Sequence, residues 1–270
     1  MRIDVRIGSA VTLLLVTGAV VAPAAVSAAA PNCGATAVAH RGAHATVDEN
    51  TVESVDRAYA LDAFVELDLR VVEGNRLYFM HDNTVDRTTD GTGRIEEMSV
   101  EEVNALTTEP HGGQVMSWAA FLDEVRANPG QQAMIEGKKY QDYWVGHPHL
   151  IERLQKSLRR HRLLGRVYVG GTRGFLKALR DTAPKVKTFW RAEPDEPLTP
   201  DEAEKRSSDL VLAFTGAMTA DEVREIQASG RPVWVRLTND IAVWRTAVEK
   251  GATGVTTDRP AAFRRWCRTA

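Results

Sequence analysis

The run Phe64-Val65-Glu66-Leu67-Asp68-Leu69-Arg70 reads as a buried β-strand with two acids set into it. Valine and phenylalanine fit a pleated, half-buried backbone, and successive side chains on a strand point to opposite faces. Glu66 and Asp68 therefore share a face, while Val65 and Leu67 fill the other. A solvated acidic face is disfavoured, because Phe64 shares it. Two carboxylates buried side by side are costly unless a cation or an arginine neutralises them. A hard divalent ion with oxygen ligands is the simplest neutraliser.

Outward from this strand, short apolar runs alternate with amphipathic stretches. Strands are predicted over 35–39, 64–70, 133–138, 167–171, 186–191, 210–214, 233–237 and 254–257, and helices over 53–61, 118–127, 150–161, 174–181, 219–229 and 241–250. Asp240 can cap the last of these helices and Gly251 can end it; Gly230 with Pro232 stops the helix before it. Strand–helix alternation with short connections argues for a parallel sheet, and eight such units argue for closure into a (β/α)8 TIM barrel. One connection is too long. From Val71 to Gln132 a tight reversal at Glu73-Gly74-Asn75 precedes the apolar run Leu77 to Met80, and a short helix is expected near 99–106. This reads as an inserted subdomain after the second strand, about 71–117, placed on the catalytic face where barrel insertions usually lie.

The 270 residues, 43% hydrophobic and 26% charged, suffice for one such domain. A net charge of -2 lacks the basic excess that a nucleic-acid binder needs. Residues 1–30 carry two early arginines, an uncharged apolar run and a small-residue end at Val26-Ser27-Ala28-Ala29-Ala30. They read as a secretory signal peptide rather than a retained anchor, leaving residues 31–270 as a secreted domain with no stable membrane insertion. Export makes a disulfide between Cys33 and Cys267 the expected fate of the two cysteines, and closing a barrel brings its first strand beside its last helix.

Three further signals carry chemistry. His40-Arg41-Gly42 follows the first strand, at the end where barrel enzymes place reactive groups. An imidazole exchanges protons near neutrality and a guanidinium grips phosphate. Glu136-Gly137-Lys138 adds a third carboxylate and a cation on one face of the third barrel strand. His81-Asp82 ends the Leu77–Met80 run, and a hairpin would return it toward Glu66 and Asp68.

Together these resemble the glycerophosphodiester phosphodiesterase family. The likeness runs through Ala37-Val38-Ala39-His40-Arg41-Gly42, Glu49-Asn50-Thr51, Glu66-Leu67-Asp68, His81-Asp82, Arg87-Thr88-Thr89, Gly91-Thr92-Gly93-Arg94, Glu136-Gly137-Lys138 and Gly254-Val255-Thr256-Thr257-Asp258-Arg259-Pro260, in the family's order. It implies a metal-dependent phosphodiesterase that releases glycerol 3-phosphate and an alcohol from a small-molecule phosphodiester. It further implies one Ca2+ or Mg2+ held by Glu66, Asp68 and Glu136, an acid–base pair of His40 and His81, phosphate contacts from Arg41 and Lys138, and support from Glu49 and Asn50. Two positions depart from the pattern: Asp48 stands where proline is usual and Arg236 where tryptophan is common. His44, His111, His147, His149 and His161 match no motif used here. The alternative readings are a phospholipase D or sphingomyelinase D-like enzyme with an aromatic lip drawn from Tyr140, Tyr143, Trp144, Trp190 and Phe214, a barrel glycosidase, and a non-catalytic secreted binding protein. The aromatics are expected to pack mostly in the core.

Overall fold

The computed structural model describes residues 33–138 and 141–270. The expected signal peptide and Tyr140 lie outside them. The strands are β1 (Thr36–His40), β2 (Phe64–Val72), β3 (Arg76–Phe79), β4 (Ala133–Gly137), β5 (Val167–Gly171), β6 (Lys187–Arg191), β7 (Leu210–Ala213), β8 (Val233–Val235) and β9 (Gly254–Thr257). The helices are α1 (Val52–Ala60), α2 (Val100–Ala105), α3 (Trp118–Ala127), α4 (Gln141–Gly146), α5 (Pro148–Arg160), α6 (Arg173–Thr182), α7 (Pro200–Lys205), α8 (Ala220–Ala228), α9 (Ile241–Glu249) and α10 (Pro260–Cys267).

β1 pairs in parallel with both β2 and β9, and β2 pairs in parallel with β4, so eight parallel strands close on themselves. β3 alone runs antiparallel, folded back on β2 through a single 3-10 turn at Glu73–Asn75. The predicted reversal sits there, with Gly74 and Asn75 at positive φ. The alternation read in β2 is what separates two apolar layers. Phe64 joins Val38, Met134, Phe189, Leu210, Leu212 and Trp234 inside the barrel, while Val65, Leu67 and Leu69 pack outward in the large layer beneath the helices. Both layers are buried and apolar, which makes polar groups at the barrel mouth the exception that needs accounting for.

Between β3 and α3 the chain builds a smaller apolar cluster of its own, with Val72, Tyr78, Met80, Val85, Ile95, Val103, Leu106 and Val115. Ser99 and Glu102 cap α2 reciprocally, which fixes the short helix expected there. The sequence reading missed α4, α7 and α10. The first two are six residues each, too short for an amphipathic period to show. α10 starts at a proline immediately after the last strand. β8 is shorter than expected, and Arg236 leaves it as a loop residue while its N–H still donates to the Ala213 carbonyl (2.8 Å). Asp240 does cap α9, accepting from the Ala242 N–H at 2.7 Å. No helix among the described residues is long and apolar enough to cross a membrane.

Cys33 and Cys267 form the disulfide, joining the entrance of β1 to the end of α10 across 234 positions. Beside it the Cys33 N–H donates to the Cys267 carbonyl at 2.8 Å. For a loop of this length the chain-entropy model gives about 5 kcal/mol of stabilisation, at the upper end of measured values. The double variant Cys33→Ser/Cys267→Ser is therefore expected to unfold at clearly lower denaturant than the oxidised parent. Coincident urea transitions would show that the cross-link contributes nothing.

Candidate active site

The register of the barrel brings three acids together. Glu66 and Asp68 lie two residues apart on the inner face of β2, and Asp68 pairs across to Glu136 of β4. Each of the three offers a carboxylate oxygen within 4.8 Å of the others. Glu66 and Asp68 are 4% and 1% exposed, so burial alone opposes their charge. Asp68 is compensated. Lys138 Nζ lies 3.0 Å from Oδ1, Asn50 Nδ2 donates to Oδ2 at 3.1 Å, and Arg41 Nε is 3.6 Å away. Burial works to raise the Asp68 pKa, but the Lys138 ammonium, then His81, Arg41 and His40, hold it below the usual carboxylate range. Glu136 is paired with Lys138 and with Arg191 Nη1, each at 3.1 Å. Glu66 accepts the Arg41 backbone N–H at 3.1 Å. Burial, with the Asp68 charge beside it, pushes Glu66 up to about 7. Three hard oxygen donors converging where one of them is short of positive charge are a donor set that fits a divalent cation.

Each expected acid–base histidine is pinned by an aspartate. His40 Nδ1 lies 2.7 Å from Asp258 Oδ1, just past the end of β9. Asp258 is fixed in turn by Asn239, which donates to Oδ2 at 2.7 Å and accepts the Asp258 N–H at 2.9 Å. His44 Nε2 approaches the same Asp258 oxygen at 3.3 Å. Burial lowers the His40 pKa, but the bond to Asp258 and the Glu66 charge outweigh it, and the net shift is upward. His81 Nδ1 lies 2.7 Å from Asp82 Oδ1. Burial opposes the Asp82 charge, yet bonds from Arg87 and His81 bring its pKa down to about 2. With Nδ1 donating to a carboxylate, each ring keeps Nε2 as the nitrogen able to take or give a proton.

The loop carrying His81 is held from the barrel. Arg70, the next residue on the acidic face of β2 after Asp68, is buried and donates to the Met80 carbonyl (3.2 Å), the His81 carbonyl and Asn83 Oδ1. The Met80 N–H donates to the Asp68 carbonyl at 2.9 Å. On the other side, Arg41 and Gly42 turn the chain away from β1 at φ 56 and 83. A Cβ at Gly42 would lie 2.2 Å from Ser54 Oγ, so only glycine fits. Glu49 bridges Arg41 Nη1 (3.0 Å) and Arg87 Nη2 (2.7 Å), and Asn50 exchanges bonds with Asp68, its Oδ1 accepting the Asp68 N–H at 3.0 Å.

Asp48, the departure from the family pattern, is buried and accepts from Thr108 Oγ1 (2.8 Å) and the His111 N–H (3.2 Å), and its Oδ1 lies 3.0 Å from His111 Nδ1. It therefore ties the His40 loop to the 73–117 segment. His147 and His161 satisfy nearby backbone carbonyls of Tyr143 and Ser157. Trp144 and Trp190 are buried in the core, and Tyr143 bonds Asn75 through its hydroxyl, so none of the three builds an aromatic lip. Sequence reasoning gave no role to Asp258, Asp82, Arg70, His44, Asn239 or Arg191. A polar residue at the end of a barrel strand or directly after it was the available signal for Arg191 and Asp258.

Because Asp258 raises the His40 pKa, Asp258→Asn should lower it, which proton NMR titration of the imidazole measures. The upward shift stabilises the fold fully below about pH 6.5 and fades as pH rises through the folded value. The variant should lose that acid-side contribution. An unmoved His40 titration would remove Asp258 from this role.

A family model described as "Glycerophosphoryl diester phosphodiesterase family" matches residues 40–262. A Bacillus subtilis glycerophosphodiester phosphodiesterase is 27% identical over 250 residues, 84% of each chain. Among solved structures, a glycerophosphodiester phosphodiesterase from Agrobacterium tumefaciens superposes with a TM-score of 0.72 at 22% identity, over 85% of this chain and 99% of that one. A phosphodiesterase from Oleispira antarctica, solved with the product sn-glycerol-3-phosphate, gives 0.76 at 18% identity, over 86% and 96%.

Proposed function

This chain belongs to the glycerophosphoryl diester phosphodiesterase family of hydrolases, and from that premise we propose that it is an exported, metal-dependent enzyme using two histidines to release glycerol 3-phosphate from glycerophosphodiesters. The observation that carries the reading is the convergence of Glu66, Asp68 and Glu136 within 4.8 Å, in a pocket where Asp68 feels the charge of both His40 and His81. The product bound by the Oleispira antarctica enzyme supports glycerol 3-phosphate as the retained half of the substrate. A glycosidase would set its two carboxylates on opposite sides of a sugar, about 5–10 Å apart, and would leave both histidines idle.

A Ca2+ or Mg2+ ion held by Glu66, Asp68 and Glu136 would supply positive charge against a non-bridging phosphate oxygen. Arg41 and Lys138, already among these acids, add fixed positive charge where the oxygens of a pentacoordinate phosphorus would accumulate negative charge. One imidazole takes the proton of the nucleophile as the other protonates the departing alkoxide. Asp258 and Asp82 hold the two rings so that Nε2 performs these transfers. The nucleophile is water or the neighbouring glycerol hydroxyl. Phosphorus NMR during turnover separates these routes, since an accumulating cyclic ester excludes simple direct hydrolysis. Export is supported by the character of residues 1–30 and by the closed Cys33–Cys267 pair. The amino-terminal sequence of the protein recovered outside the producing cells tests it, with an uncleaved Met1 as the contrary result.

His40→Ala and His81→Ala are each expected to lower the rate roughly 10²–10⁴-fold, the usual scale for acid–base groups. Near-parental turnover by both would overturn the assignment. Exhaustive chelation should abolish hydrolysis, with recovery on adding Ca2+ or Mg2+; full activity in excess chelator would remove the ion from the mechanism.

A further inference from the structure

Beyond Glu136 the mouth of the barrel carries a chain of alternating charges that the proposed chemistry does not use. Arg191, at the end of β6, holds Glu136 through Nη1 at 3.1 Å and Glu193 through Nη2 at 2.7 Å. The second oxygen of Glu193 faces Arg236 Nη1 at 3.4 Å. Arg236 follows β8, and its guanidinium lies 4.2 Å above the ring of Phe214, which follows β7. Three adjacent strand ends thus present two planar cations around one carboxylate. Exposure rises from 13% at the Glu136 side chain to 21% at Arg191 and 42% at Glu193, and falls to 24% at Arg236. Burial, and then the Arg191 charge, push the Arg236 guanidinium below its ordinary pKa. Arg191 Nε is buried without a hydrogen-bond partner.

We infer that Arg191 and Arg236 form a carboxylate-binding subsite for the leaving alcohol, which gives the enzyme a preference for glycerophosphodiesters whose alcohol bears a carboxylate. This rests on the phosphodiesterase reading above. Glu193 already shows the geometry, one oxygen to each guanidinium, and the fork of an arginine matches a carboxylate better than any neutral group. Glu193 is the most exposed member of the chain and returns to water at little cost, so a substrate carboxylate can take its place. The ring of Phe214 keeps the Arg236 fork flat and in position when that exchange occurs. Arg191 touches Glu136 directly, which sets the subsite beside the acid cluster.

sn-Glycero-3-phosphoserine and sn-glycero-3-phosphoethanolamine differ by one carboxylate, so the ratio of their kcat/KM values isolates the subsite. The wild-type ratio is expected to favour the serine ester about tenfold, the scale of one charge-assisted hydrogen bond. Arg236→Gln should carry the ratio toward one, and Glu193→Gln, which removes the competing charge, should raise it. In the wild type, raising ionic strength from about 0.05 to about 0.5 M should shrink the ratio, a measurement that stands even where a variant fails to fold. A wild-type ratio at or below one, a parental ratio in folded Arg236→Gln, or a ratio indifferent to salt would each overturn the subsite. Hydrolysis of neither ester would overturn the phosphodiesterase reading, and the subsite with it.

Discussion

Two carboxylates buried side by side on one strand are the constraint around which the mouth of this barrel is arranged. Glu66 and Asp68 share the barrel interior with a cluster of buried apolar side chains, and charged and polar groups from neighbouring segments answer them. Lys138 just past β4, Arg41 from the β1 loop, and Asn50 from the turn before α1 all end on Asp68. Glu66 receives a single backbone N–H from Arg41, and its pKa of about 7 records what that leaves uncompensated. The acids are not decoration on a stable fold. They are a local cost, met in part by Lys138, Arg41 and Asn50 around Asp68.

The alternation within Phe64–Arg70 was legible because a strand inside a barrel obeys a two-residue period, and Phe64 on the acidic face excluded a solvated edge. The hairpin through Gly74 was legible from its turn residues. The partners of the histidines were not. Asp258 lies 218 positions from His40, and only the pairing of β1 with β9 brings them together; no spacing along the chain encodes that. Arg70 escaped notice because an arginine at a strand end is ordinarily a solvent-facing residue, whereas here it is buried and bonds three groups of the returning hairpin. Asp48 and Arg236, visible only as departures from the family pattern, turn out to bind the 73–117 segment to the His40 loop and to extend the Glu136 ion chain.

The two imidazoles are alike in their tether and unlike in their setting. His40 rides on the barrel itself, and its aspartate comes from the last strand to close it. His81 rides on the returning hairpin, beside a small apolar cluster separate from the main core, and its aspartate is the next residue. Chemistry that needs both rings therefore needs both packing units in place.

That dependence runs through a two-residue step on β2. Asp68 faces the acids' pocket, and Arg70, one period further on, clasps the loop that bears His81. A slip of this strand by a single residue would turn leucines inward, drive the carboxylates into the helix layer and unclasp the histidine in the same movement. A misaligned molecule would thus be inert rather than sluggish, and hydrolytic competence becomes all-or-none at the level of the individual barrel.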